Sequence, residues 1–555
     1  FCFYTFSEFF SSMFRLTQFC LSNSNKLTKI APANAQSIAK DIDALQLFEK
    51  DKYSAQEVSD VVNNFLESFH VISDYPLQQQ QPHTKRHVVQ DIGVPKENPL
   101  NAWSYCFEIQ GASTGKLSGK RLVLKDNISV AGFPMRNGSA LLDDFIANQD
   151  ATIVTRALAH GATLVGKAVC ENLCLSGSSF TSYPHPVLHP LNQEYATGGS
   201  SSGCAALIAA GEADIGVLGD QGGSVRIPSG YCGIVAMKPT HGAIPYTGLF
   251  PIEPTLDHPG PGAQNTLDAA ILFDALAGDD IDPSMPGLKL DPRQNTQNPF
   301  QVGGDACETA IRNAIRERVH DTQVNLNGIR IGVLEEGLKV GLSKEVEQEM
   351  DHTIHILEKA GATVEKISVP MHLEAPAIFI PICMLGGIST MLENGSSTFG
   401  QRGHFDHQLV EYMSNQVAKH PEKLSITTKM ALLTYAHVRK TGGAGAHYAK
   451  AQNLSNLLRA QYHKAMLGFD CMLMPTVPTA AHRLPSKDAS LGELMETAFS
   501  MIGNTAPFNL TGNPALTVPT KNQTKQGQFP MSVQFVAQHY NDDKLFGIGA
   551  LFEQL

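Results

Sequence analysis

Gly198-Gly-Ser-Ser-Ser-Gly203 and Gly219-Asp-Gln-Gly-Gly-Ser-Val-Arg226 are two serine-bearing glycine loops, with Ser200 and Ser224 standing 24 residues apart. A run of small, helix-forming residues over 204–211 leads from the first towards the second. Lys125 lies 75 residues before Ser200, closing Arg121-Leu-Val-Leu-Lys125. Two serines and a lysine form a complete set for acyl transfer without a histidine. A serine hydroxyl attacks well only when a base takes its proton; a second hydroxyl can relay that proton, and an amine can receive it.

Outward from these loops, strand and helix alternate from residue 119. Strands are expected over 121–125, 162–165, 327–333 and 363–369. Helices are expected over 151–160, ended by Gly161, and over 344–360, ended by Gly361. The pattern argues an α/β domain with a mixed central sheet flanked by helices. Before it, residues 36–73 read as helices. Ser54-Ala-Gln-Glu57 is a capping box, and Val58, Val61, Val62, Phe65 and Phe69 follow at helical spacing. The expected organisation is a leader over 1–35, a small all-helical N-terminal domain over 36–76, a polar linker over 77–100 and the main domain over 101–555. Residues 280–305, rich in Asp, Pro, Gln and Asn, read as a surface loop. A lone amphipathic hairpin cannot bury its own apolar face, so it must pack on the main domain or on a second copy.

Composition removes several classes of function. The chain has 555 residues, 42% of them hydrophobic, and a net charge of -11, so no nucleic-acid partner is expected. Ten cysteines in such a length are no disulfide framework. Cys170 and Cys174 lack a second pair at ligand spacing, so neither a metal nor a cofactor is expected. No run of about 18 apolar residues is evident, so no membrane span is expected. The stretch 1–14 is aromatic but carries Glu8 and no basic segment, against a secretory signal. The expected location is cytoplasmic. If translation starts at Met13, residues 13–40 hold Arg15, Lys26, Lys29 and Lys40 and no acid, which fits a mitochondrial transit peptide.

Three other uses of the glycine loops fit poorly. Neither loop matches a P-loop or a G-x-G-x-x-G after a strand. Gly199-Ser-Ser-Ser-Gly203 matches the G-x-S-x-G nucleophile elbow, but polar Asn192-Gln-Glu-Tyr-Ala-Thr197 precedes it where a buried strand is required. Ser113-Thr-Gly-Lys116 and Lys440-Thr-Gly442 match β-lactamase fragments, yet the first lies among Gly111, Gly115 and Gly119, and no S-D-N intervenes.

The composite of Lys125-Asp-Asn127, residues 198–203, residues 220–228, Gly233-Ile-Val-Ala-Met-Lys-Pro-Thr240, Met474-Pro-Thr476 and Asn504-Thr-Ala-Pro-Phe508 resembles the amidase signature family. The resemblance covers most of residues 100–555. Val169-Cys-Glu-Asn-Leu-Cys174, Ser176-Gly-Ser-Ser-Phe180 and Gln221, where many members carry Thr, are similar to the bacterial amidases of nitrile degradation. The helical extension matches that subgroup too, where it serves dimerisation, so a homodimer is expected. The resemblance implies the amidase signature fold, with Ser224 as nucleophile, Ser200 as bridging serine after a cis peptide at Gly199, and Lys125 as base. Backbone N–H groups of Gln221, Gly222, Gly223 and Ser224 are expected to form the oxyanion hole.

Ser201 is expected to support this network, Ser202 to be silent, and Asp220 with Arg226 to hold the loop. Cys174 reads as a packing residue. A lysine acts as a base only when neutral, which burial favours by penalising charge; Asp126 is therefore expected to point away from Lys125. The expected function is hydrolysis of a small monocarboxylic acid amide to acid and ammonia through an acyl-serine. Alternatives are the glutaminase subunit of a tRNA-dependent amidotransferase, a membrane-associated fatty-acid amide hydrolase, and a catalytically silent binding protein on the same fold.

Overall fold

The computed structural model describes residues 30–45, 53–74, 86–281, 289–291, 293–294, 298–321, 323–395, 403–521 and 529–555. Most of the expected leader, residues 46–52 and 75–76 of the expected N-terminal domain, and residues 77–85 of the expected linker lie outside these. The main body is built on a mixed 12-stranded sheet. Its spatial order is His87–Gly93, Trp103–Gln110, Thr163–Ala168, Arg121–Lys125, Ile215–Asp220, His258–Ala263, Val235–Lys238, Ala515–Pro519, Ser532–Val536, Cys471–Pro475, Arg330–Leu334 and Thr363–Ile367. Arg121–Lys125 runs parallel to both of its neighbours, pairing Leu122 with Leu164 on one side and with Ile215 on the other. Parallel strands discharge their following loops at one sheet edge, which is where open α/β sheets build sites. Lys125 and Asp220, the last residues of adjacent parallel strands, thus reach the same edge.

Local sequence explains these elements. Ile215–Asp220 is buried along its whole length, as a central strand covered on both faces should be. Thr152–Ala159 ends before Gly161, whose φ of +86° is a left-handed turn. Lys344–Lys359 starts under Ser343, whose hydroxyl accepts from Val346 N. The strands expected at 162–165 and 327–333 are Thr163–Ala168 and Arg330–Leu334, and the small-residue helix is Ser202–Ala209.

In the N-terminal part, Ala35–Leu45 and Ala55–Asp74 are helical, and the capping box forms: Ser54 N donates to Glu57 Oε2 at 2.8 Å and Glu57 N to Ser54 Oγ at 3.2 Å. Val61, Phe65, Phe69 and Ile72 lie exposed on the longer helix at spacings of four, four and three.

Three expectations need correction. The stretch read as a linker contains the strand His87–Gly93, which pairs antiparallel with Trp103–Gln110 at the edge of the sheet. The segment 280–305 is not simply a surface loop. Asp291 and Arg293 are buried and paired at 2.6 Å, and Arg293 also donates to Asp257 O and Ile244 O, so charge pairing carries polar residues inside. Finally, Pro370–Glu393 is one helix long and apolar enough by composition to cross a membrane, though 67% of it is buried inside the protein. Its second half winds as π-helix over Ile382–Gly387 and Ser389–Glu393.

His372 pins the start of that helix. Asn504 Nδ2 donates to Gly337 O and Pro475 O, so its Oδ1 is an acceptor and His372 Nε2, 3.0 Å away, carries the proton. His372 Nδ1 then accepts from Tyr462 O–H at 2.6 Å. Burial pushes this imidazole down from 6.5 to about 4. Between those values the unfolded chain takes up a proton that the folded one refuses. The stabilisation is therefore whole above about 6.5 and is lost as pH falls through about 4. In His372→Gln, the slope of unfolding free energy against pH across that window should drop by up to about 1.4 kcal/mol per pH unit. Denaturant titrations at several pH values measure it, and an unchanged slope would contradict a neutral His372.

Candidate active site

Lys125 is fully buried at the end of its strand. Its Nζ lies 2.8 Å from Ser200 Oγ and donates to Gly219 O at 3.3 Å. Asp126 does turn away. It pairs with Lys167 at 3.2 Å and accepts from Ser104 Oγ at 2.6 Å. Ser200 follows a cis peptide after Gly199. A Cβ on Gly199 would meet Ser178 O at 2.1 Å and Glu171 Cγ at 2.8 Å, so only glycine fits there. The loop is laced to residues 169–180: Gly199 N donates to Gly177 O, and Glu171 N to Ser200 O. The buried Glu171 carboxyl accepts from Thr181 and Ser182, each at 2.7 Å. Burial pushes that carboxyl above its ordinary range despite these bonds.

Ser201 supports the second loop from below. Its hydroxyl donates to Gly219 O at 3.0 Å and accepts from Gly219 N at 3.2 Å. Ser202 is buried, and its hydroxyl has no hydrogen-bond partner among the described residues.

The second loop is shaped by Asp220 and Arg226, both fully buried. Arg226 grips the carboxylate with two nitrogens, Nε to Oδ2 at 3.0 Å and Nη2 to Oδ1 at 3.1 Å. Asp220 also accepts from Gly223 N at 2.7 Å, Val225 N at 3.1 Å and Asn509 Nδ2 at 2.8 Å. Burial works to raise this carboxyl, but the Arg226 charge, the hydrogen bonds from Arg226 and Asn509 and the charge of Lys238 together hold it below the usual range. Of the four amides expected to face an oxyanion, that of Gly223 is instead given to the Asp220 carboxylate at 2.7 Å. Gly222 and Gly223 have no room for side chains: a Cβ would meet the Phe379 ring at 2.8 Å or Thr505 Oγ1 at 2.3 Å. Thr505 Oγ1 donates to Gly222 O at 2.7 Å and fixes that peptide's direction.

Ser224 is 7% exposed, whereas Lys125 and Ser200 are at 0%. Of the three, Ser224 alone reaches solvent. No hydrogen bond joins Ser224 Oγ to Ser200 Oγ. A serine hydroxyl swings about one bond, and catalytic hydrogen bonds are commonly long before substrate arrives.

Sequence reasoning misses several residues of the site. Asn509 follows directly on the quoted Asn504–Phe508 motif and binds both Asp220 O and its carboxylate. Tyr246 O–H accepts from Gln221 Nε2 at 3.0 Å. Cys174 reads in the sequence as packing alone, yet its buried thiol donates to Asn137 Oδ1 at 3.2 Å. Its signal is the Cys-x-x-x-Cys spacing straight after Thr163–Ala168, the strand beside Lys125.

The Amidase family profile matches residues 101–546. An enantioselective amidase of Rhodococcus rhodochrous is 38% identical over 462 residues, 82% of this chain and 83% of that protein. A glutamyl-tRNA(Gln) amidotransferase subunit of Methanosarcina barkeri is 31% identical over 81% of this chain and 86% of its own length. Among solved structures, the native peptide amidase of Stenotrophomonas maltophilia superposes with a TM-score of 0.58, at 23% identity, over 79% of this chain and 83% of that one. This last likeness speaks to fold.

Replacing Arg226 by Met leaves the Asp220 carboxylate buried without its counter-charge. Such a break costs about 3–5 kcal/mol, read as a shift in the denaturant midpoint. A loss below about 1 kcal/mol would contradict the role given to the pair.

Proposed function

This chain belongs to the Amidase family, and from that premise we propose that it is a serine amidase. Its substrate would be a small monocarboxylic acid amide, cleaved to carboxylic acid and ammonia through an acyl-Ser224 intermediate. The observation that carries this reading is the buried 2.8 Å contact of Lys125 Nζ with Ser200 Oγ, behind the loop that presents Ser224.

In the proposed reaction, Ser224 Oγ attacks the amide carbonyl carbon. Its proton passes to Ser200, whose own hydroxyl proton moves to Lys125. The carbonyl oxygen becomes an anion facing the N–H groups of Gln221, Gly222 and Ser224, and each such donor is worth about 2.7–4 kcal/mol of transition-state stabilisation. The tetrahedral adduct collapses as Ser200 returns a proton to the nitrogen. Ammonia therefore leaves as a neutral molecule instead of an impossibly basic anion. Water then attacks the acyl-serine by the same relay in reverse. Glycines at 222 and 223 let Phe379 and Thr505 pack directly against the loop, where a Cβ would collide.

The second reading, the ammonia-supplying subunit of an amidotransferase, has the 31% identical relative in its favour. The higher identity to the enantioselective amidase favours the first. So does the exposed stripe of Val61, Phe65, Phe69 and Ile72, which suits a second copy of the same helix. Lys125, Ser200 and Ser224 are all present, which opposes a catalytically silent protein.

Ser224→Ala should lower turnover of simple aliphatic and aromatic amides by at least about 10³-fold, and no acyl-enzyme should appear by mass spectrometry. Undiminished turnover would reject Ser224 as nucleophile. Phe65→Asp combined with Phe69→Asp should convert a homodimer to a monomer in analytical ultracentrifugation. A monomeric unmutated protein would reject the homodimer.

A further inference from the structure

We propose that the groove between the helices Ala375–Pro381 and Ala444–Ala465 is a second binding site, suited to a free amino acid with an apolar side chain. The groove encloses about 350 Å³, within the usual range of small-molecule sites. None of its lining residues belongs to the triad or to the loop of Ser224. The inference therefore goes beyond the serine amidase reading and does not depend on it.

The two walls are built alike. Along the first helix and the residue that caps it, Glu374, Ala377, Ile378 and Pro381 face the groove. They fall at i, i+3, i+4 and i+7, one face of a helix. His447, Lys450, Ala451 and Leu454 repeat that spacing on the facing helix. Each stripe opens on charged or polar residues and continues as apolar ones, and Met371 extends the apolar floor. An apolar body fits the floor, and a polar end fits the rim.

The rim decides what that end carries. An acid, Glu374, stands on one wall and a base, Lys450, on the other. Neither makes an ion pair among the described residues, although both line the same groove. His447 Nδ1 donates to Gly443 O at 2.7 Å, which leaves Nε2 for a ligand. The wall of Glu374 offers a further acceptor. Pro381 has no N–H to give the Ala377 carbonyl one turn before it, and the Ile382 N–H goes to Phe379 O. An ammonium thus has Glu374 and Ala377 O, and a carboxylate has Lys450 and His447. A simple acid or a simple amine answers only one wall; an amino acid answers both.

The test titrates L-phenylalanine into the full-length protein with Ser224 capped by an acyl-phosphonate, and follows binding by saturation-transfer NMR. Saturable binding with a Kd of about 1 mM is expected for a ligand of this size. Hydrocinnamate carries only the carboxylate and phenethylamine only the ammonium. Lys450→Gln should weaken phenylalanine and hydrocinnamate about three- to fivefold and leave phenethylamine unchanged. Glu374→Gln should weaken phenylalanine and phenethylamine by the same factor and leave hydrocinnamate unchanged. Ala377→Trp, at an exposed position that tolerates a larger side chain, should abolish binding of all three. The proposal is overturned if phenylalanine does not saturate below about 20 mM, or if Ala377→Trp binds it as the unmutated protein does. Binding that Glu374→Gln leaves unaltered, with hydrocinnamate as tight as phenylalanine, marks a plain carboxylate site and also overturns it. If Ser224 takes no label, the serine amidase reading fails, while the same variants on the uncapped protein still decide the groove.

Discussion

One buried ion pair underlies the candidate site. Asp220 and Arg226 lie wholly inside the protein, where two charges are tolerated only with close geometry and filled hydrogen-bond valences. The Asp220 carboxylate achieves this by collecting Arg226, Asn509 and the N–H groups of Gly223 and Val225. Those bonds do more than neutralise a charge. They bend the chain between the strand Ile215–Asp220 and the helix Arg226–Cys232 into one shape. That shape sets the directions of the amides from Gln221 to Val225 and the place of Ser224. The oxyanion donors proposed here follow from which amides Asp220 consumes.

Around that bend the site is assembled from far-separated stretches. Lys125 comes from a parallel neighbouring strand, and Ser201 clamps Gly219. Phe379, from the helix that includes the π-helical stretch, lies over Gly222, and Thr505 holds the Gly222 carbonyl. The π-helical stretch follows on Phe379, and its Ile382, Leu385, Met391 and Leu392 pack into the core.

Much of this is legible in the sequence, because the informative features are local. Arg121–Lys125 reads as a buried strand from three consecutive apolar residues, and Ser343 and Gly361 mark the ends of their helix. The serine loops, Lys125, and the role of Asp220 with Arg226 can be read from motif order. What escapes depends on partners distant in sequence. His87–Gly93 is exposed along nearly its whole length, so it shows no buried face, and only its pairing with Trp103–Gln110 makes it a strand. Asp291 and Arg293 read as surface residues because charge usually stays in water, until each supplies the other's counter-ion. Paired glycines announce freedom of the backbone but not which way an amide will turn, so the sequence counts Gly223 among the oxyanion donors.

The difference in burial between Ser224 and the pair Lys125 and Ser200 has a consequence for traffic in the site. Lys125 and Ser200 are sealed from solvent, while Ser224 alone has a window on it. In the proposed chemistry, a proton entering this chain has no side exit. What Ser224 surrenders stays in custody until the departing nitrogen collects it at the same window. Acylation and ammonia release would then share one closed proton account, and the water that frees the acyl group would have to enter where ammonia left.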